Sequence, residues 1–155
     1  MLEYINGDAT YPELQIKWRK NIIIAHICND IGRWGSGFVL AVSKRWKKPE
    51  KEYYSICEYN LGDVQYVNVE ENITVANMIA QRSVRDYTTK NYPPPIRYEM
   101  LRQCLVDVNN KAMYSEAEIH MPKIGAGLAG GDWNIIETII NETITVPVYV
   151  YEWDK

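Results

Sequence analysis

Two glycine-rich stretches carry the clearest chemical signal in the sequence. Gly35-Ser36-Gly37 follows the apolar run 21–28, and Gly125-Ala126-Gly127-Leu128-Ala129-Gly130-Gly131 follows the run 118–124. Without a Cβ, glycine lets a backbone turn sharply and approach a ligand closely. The amide N–H groups of such a loop, backed by a helix N-terminus, cradle a phosphate without any lysine. The competing reading of one such loop is a turn that lets a helix pack tightly on its strand. Two loops, each directly after a hydrophobic strand, favour an anion clamp instead, because ligands of open α/β sheets bind beyond the carboxyl ends of the strands.

Gly125, Gly127 and Gly130 also fit the G-x-G-x-x-G pattern of dinucleotide-binding folds, with Glu152 placed as the ribose-binding acid. Only three residues follow Glu152, so no second βαβ half is expected to complete a nicotinamide site, and that reading is set aside. Three widely spaced cysteines without a C-x-x-C pair, and only two histidines, offer no zinc-site pattern. They read as reduced thiols of a cytoplasmic protein. A net charge of -3 argues against non-specific nucleic-acid binding through a basic face. No apolar run approaches the roughly 20 residues of a membrane span, and the first residues lack a signal-peptide pattern. No cofactor is called for, and oligomeric state is not legible.

The elements that must position these loops follow from periodicity. Segments 2–6, 14–18, 64–69, 73–79, 118–124 and 146–152 read as strands, and the β-branched run 21–28 reads as a central strand buried on both faces. Helices are expected over 38–46, from Pro49 through Cys57, over 96–113, and from an N-cap at Asp132. Segment 82–95 is polar, ends in three prolines and is too long to be a mere connector. At 155 residues with 46% hydrophobic content, the pattern implies one α/β domain, a three-layer α/β/α fold around a central mixed sheet.

In this order, Gly7-Asp8-Ala9, His26-Ile27-Cys28-Asn29 with Gly32, Trp34, Gly35 and Gly37, Val75-Ala76-Asn77-Met78-Ile79-Ala80-Gln81, and Pro122-Lys123-Ile124-Gly125-Ala126-Gly127-Leu128 resemble the successive motifs of macrodomains. The branch they resemble holds fungal ADP-ribose-1″-phosphate phosphatases, terminal ADP-ribose–protein hydrolases and an antitoxin that reverses DNA ADP-ribosylation. The resemblance implies a cleft for ADP-ribose. In it, Asp8 would accept from the adenine amine, the Ala9 N–H would face a ring nitrogen, and Tyr151 would stack on the base. Gly35, Ser36, Gly37 and Phe38 would offer N–H groups to the diphosphate from one side, and Gly125, Ala126, Gly127 and Leu128 from the other. The distal ribose would lie near His26, Asn29, Trp34, Asn77 and Gln81. His26 would act as general base or acid, with Asn29 and Asn77 orienting hydroxyls or water.

The protein-directed hydrolases of this branch use a lysine where this chain has Gln81, and an acid where it has Ala129. Gln81 forms no Schiff base, so a covalent lysine adduct is not expected. Three functions are therefore carried forward. The leading one is hydrolysis of an ADP-ribose derivative, ADP-ribose-1″-phosphate first. The second is removal of ADP-ribose from an ADP-ribosylated protein or nucleic acid, and the third is a module that binds ADP-ribose without turnover.

Overall fold

The computed structural model describes residues 2–84, 94–127 and 129–152. Leu128 and most of the long polar segment 82–95 therefore lie outside the described residues. Ten elements follow in order: β1 (Leu2–Asn6), β2 (Asn21–Asn29), α1 (Phe38–Arg45), α2 (Lys48–Tyr54), β3 (Val64–Glu70), β4 (Ile73–Gln81), α3 (Tyr98–Tyr114), β5 (Ala117–Pro122), α4 (Trp133–Thr143) and β6 (Val148–Glu152). The six strands form one sheet in the order β1-β6-β5-β2-β4-β3. All neighbours are parallel except β3, which runs antiparallel to β4 at one edge. The expected three-layer α/β/α architecture with a mixed sheet is what is observed.

Strand alternation assigns the two faces. Ile23, Ala25, Ala76, Met78, Ile119, Met121, Val148 and Val150 turn to the back, where α3 and α4 lay down Leu101, Leu105, Val108, Ile136 and Ile140 as one core. The front carries Ile22, Ile24, Ile73 and Val75 in one cluster, and Cys28 and Ile79 in another with Trp34, Val42 and Tyr53 from α1, α2 and the loop before α1. The polar residues of interest fall on this front face. His26 of β2 stands beside Asn77 of β4, and Glu118 and His120 of β5 alternate with the apolar back-facing positions. A register shift between Cys28 and Asn29 sets Asn29 opposite Gln81. Such an irregularity bends the strand exit and re-aims the side chains there.

Segment 14–18, expected as a strand, is not one: residues 12–20 are turns and coil. Its alternation is real, but the segment lies where a carboxylate rather than a strand edge receives it. Glu118 accepts the N–H groups of Gln15 (3.1 Å) and Ile16 (2.5 Å), and Trp18 stays 70% exposed. Helix α2 closes at Tyr54, because the Ser55 and Ile56 amides already turn back to Glu52 and Tyr53, leaving Ile56 and Cys57 beyond it. Among the described residues, no helix is long and apolar enough to cross a membrane.

Candidate functional site

A cleft runs across the carboxyl ends of the strands, between the β2–α1 loop (30–37) and the β5–α4 loop (123–132). It consists of neighbouring cavities that share walls. One, of about 320 Å³, is bounded by Gly7, Asp8, Ala9, Phe38 and Tyr151. The next, about 280 Å³, is bounded by His26, Ser36, Gly37, Gln81, Gly125 and Gly127. The last, about 200 Å³, is bounded by Asn29, Arg33, Trp34, Gly35, Ser36 and Gln81.

The middle cavity is a cradle of backbone donors. Helix α1 begins without a side-chain cap and without an acid in its first turn; the Leu40 amide turns to the Gly37 carbonyl, and the N–H groups before it and the positive dipole end are left open. The N–H groups of Ser36 and Gly37 on one side, and of Gly125 and Gly127 on the other, have no hydrogen-bond partner among the described residues, and neither has that of Gly35, which lines the neighbouring distal cavity. Ala126 differs, since its N–H turns to the Lys123 carbonyl at 3.4 Å. The glycines of the second loop do unlike jobs. Gly125 sits at φ 72°, and a Cβ there would stand 2.3 Å from Ile96 Cδ1, whereas a Cβ on Gly127 would meet nothing within 4 Å.

His26, 1% exposed, forms part of the wall of this middle cavity. Its Nε2 lies 2.5 Å from Asn77 Oδ1. The Asn77 amide nitrogen is committed as a donor to Gln65 Oε1 (3.0 Å) and the Pro49 carbonyl (3.3 Å), so the oxygen is what faces the histidine. The imidazole therefore donates from Nε2 and leaves Nδ1 unprotonated. That buried atom has no partner among the described residues. Burial pushes the imidazole pKa down to about 4, against the smaller upward pull of the Asn77 bond. Trp34 stands edge-on to His26, ring centroids 5.5 Å apart, and spends its indole N–H inward on Val39 O and Ser43 Oγ.

At the third cavity Asn29 shapes the loop with its own side chain. Oδ1 accepts the N–H groups of Ile31 (3.1 Å) and Arg33 (3.2 Å), and Nδ2 donates to the Arg33 carbonyl at 2.6 Å. The hydroxyl of Tyr53, wholly buried, donates to Asn29 at its Oδ1 (2.7 Å) and carbonyl (2.8 Å). Gln81 reaches the cleft with Nε2 donating to Ser83 O at 2.9 Å. Ala129 follows as a small, buried residue on the wall of the middle cavity.

At the first cavity Asp8 folds an Asx-type turn, its Oδ1 accepting from Thr10 N (2.8 Å) and Oγ1 (2.7 Å). Behind the Tyr151 ring lies a polar relay: Tyr151 Oη is 2.7 Å from His120 Nδ1, and His120 Nε2 is 2.8 Å from Glu118 Oε2. Burial lowers the His120 pKa, against the upward pull of Glu118. A neutral ring therefore donates to Glu118 and accepts the Tyr151 hydroxyl.

The cleft thus brings together Asp8, Ala9, Phe38 and Tyr151 at one end, His26, Ser36, Gly37, Gly125 and Gly127 in the middle, and Asn29, Trp34, Gly35 and Gln81 at the other. Asn77 and Ala126 border none of these cavities. Asn77 is fully buried, and it touches the site only through His26. Sequence reasoning missed Arg33, Tyr53 and the Glu118–His120 pair. For the last a signal existed, two ionisable residues two apart in an otherwise apolar strand.

No protein-family model matches the chain. It is 29% identical over 159 residues to an ADP-ribose 1″-phosphate phosphatase of Candida albicans, spanning 97% of this chain and 99% of that protein. Among solved structures, a protein of unknown function from Bacteroides thetaiotaomicron is 47% identical, with a TM-score of 0.89 and 97% of both chains covered. A macrodomain protein from Streptomyces coelicolor is 40% identical, with a TM-score of 0.81, over 99% of this chain and 100% of that one. With that identity and TM-score over the full length, the chain, with its glycine-walled cleft at the carboxyl end of a six-stranded sheet, belongs to the macrodomain family.

Proposed function

We propose that the cleft holds ADP-ribose and that the protein hydrolyses a 1″-substituted derivative of it, with ADP-ribose-1″-phosphate the leading substrate. The carrying observation is the middle cavity: open N–H groups on two facing loops, with His26, whose buried Nδ1 has no partner among the described residues, as one of its lining residues. In this reading the adenine lies against Tyr151 beside Asp8 and Ala9. The diphosphate takes the amides of residues 35–38 and of Gly125 and Gly127, and the distal ribose extends toward Trp34, Asn29 and Gln81. Such donors suit an anion because they are fixed in place before it arrives.

His26 enters neutral at physiological pH, so it serves as an acceptor and base rather than an acid. Its Nδ1 takes a hydrogen bond from water or a ribose hydroxyl, and the negative charge of a bound substrate strengthens it as a base. Asn77 acts through His26 by holding the tautomer, and Asn29 acts by shaping the loop. Removal of ADP-ribose from a macromolecule is the less favoured reading, because Gln81 and Ala129 supply neither the amine nor the acid that the branch uses. Pure binding draws support from a different observation. The side chains of Asn29 and Asn77, expected to orient water, are spent within the protein.

A parallel assay on ADP-ribose-1″-phosphate, ADP-ribosylated protein and ADP-ribosylated DNA tests this. Phosphate release from the first is expected, with His26→Gln lowering kcat about a hundredfold or more while ADP-ribose binding survives. Binding without turnover of any substrate would leave the binding module. Absence of ADP-ribose binding by calorimetry would overturn every version.

A further inference from the structure

The loop that carries Asn29 is more heavily braced than an exposed turn requires. Asn29 holds residue 33 from both sides, through its N–H and its carbonyl, and Tyr53 anchors Asn29 from the core. The residue so fixed is Arg33, whose side chain is exposed and forms part of the wall of the distal cavity. Among the described residues that line this cavity there is no Asp or Glu, and Arg33 is the one cation. Among the described residues, the Arg33 guanidinium makes no ion pair or hydrogen bond. The other cation along the cleft, Lys123, lies 3.4 Å from Glu152 and over the Trp133 ring, so its charge is already compensated.

We infer that Arg33 is a specificity-determining residue that selects ligands bearing an anionic group on the distal ribose, a phosphate above all. The inference rests on the ADP-ribose reading of the cleft and adds a residue and a preference to it. A guanidinium matches a phosphate with paired N–H donors, and no carboxylate among the described lining residues opposes that anion. The braced backbone fixes where the arginine side chain leaves the cavity wall, so no loop ordering is added to the side-chain entropy lost when it engages. A neutral anomeric hydroxyl gains nothing from the same arginine. The site therefore favours the phosphorylated ligand over ADP-ribose itself, and a charged leaving group over a neutral one.

The test is displacement of a fluorescent ADP-ribose by ADP-ribose and by ADP-ribose-1″-phosphate, read by stopped flow before turnover. The wild type is expected to prefer the phosphorylated ligand. Arg33→Gln should weaken that ligand about tenfold and leave ADP-ribose within about twofold, with Arg33→Lys restoring part of the preference. Raising the salt should erode the preference in the wild type and not in Arg33→Gln. Equal weakening of both ligands, or an unchanged ratio, would overturn the inference while leaving the cleft assignment intact. Failure of the wild type to bind either ligand would remove the cleft assignment, and this inference with it. The exposed side chain makes none of the contacts that fold the loop, so an unchanged melting curve is expected for both variants.

Discussion

At the scale of residues, the two inner glycines of the second loop show how one letter carries two meanings. Gly125 serves the fold, since its positive φ strains any side chain and a Cβ there would press on the Ile96 methyl behind it. Gly127 has open space where a Cβ would go and no left-handed backbone to protect. Gly127→Val is thus expected to abolish ADP-ribose binding while changing stability by less than about 0.5 kcal/mol. Calorimetry paired with a urea titration checks both halves, and normal binding would break the clamp between the loops. Nothing in the sequence separates these glycines, because the difference lies in what stands behind each one. His26 is similar. Its place at the end of a buried strand was legible, but its tautomer depends on Asn77, Gln65 and Pro49, which only the sheet register brings to it.

At the scale of elements, local signals were readable and relational ones were not. Asp132 was legible as an N-cap because capping involves neighbours in sequence, and its Oδ1 does accept Asn134 N at 2.9 Å. Asp132→Ala is expected to cost about 1 kcal/mol of stability with ADP-ribose binding and turnover unchanged. A loss of turnover at full occupancy would instead give Asp132 a part in the chemistry. Segment 14–18 failed for the opposite reason. Alternation says that one side of a segment is buried, but pairing needs a free strand edge, and Glu118 took the amides first. The bracing of the distal loop by Tyr53 was equally hidden, since α2 approaches Asn29 only after the chain has turned twice.

At the scale of the whole molecule, the sheet's front face holds two neutral histidines. His26 and His120 both have pKa values lowered by burial, while an unfolded chain returns them to about 6.5. Below that value the unfolded state takes up protons that the folded state refuses, so stability is full above about pH 6.5 and declines toward pH 4. From pH 7 to pH 5, His26 alone is expected to remove about 2 kcal/mol, read as a lower urea midpoint. His26→Gln should flatten that dependence, and a wild-type midpoint independent of pH would contradict the buried neutral ring. The α/β/α layering was legible because strands and helices announce themselves by period; the strand order was not. That order has a consequence in time. The first strand has one neighbour in the sheet, the last strand, with Leu2 set against Val148 and Asn6 against Glu152. During synthesis β1 therefore waits unpaired until β6 has been made. The wall that carries Asp8 and Ala9 is expected to be seated no earlier than β6, which brings Tyr151 to the same cavity.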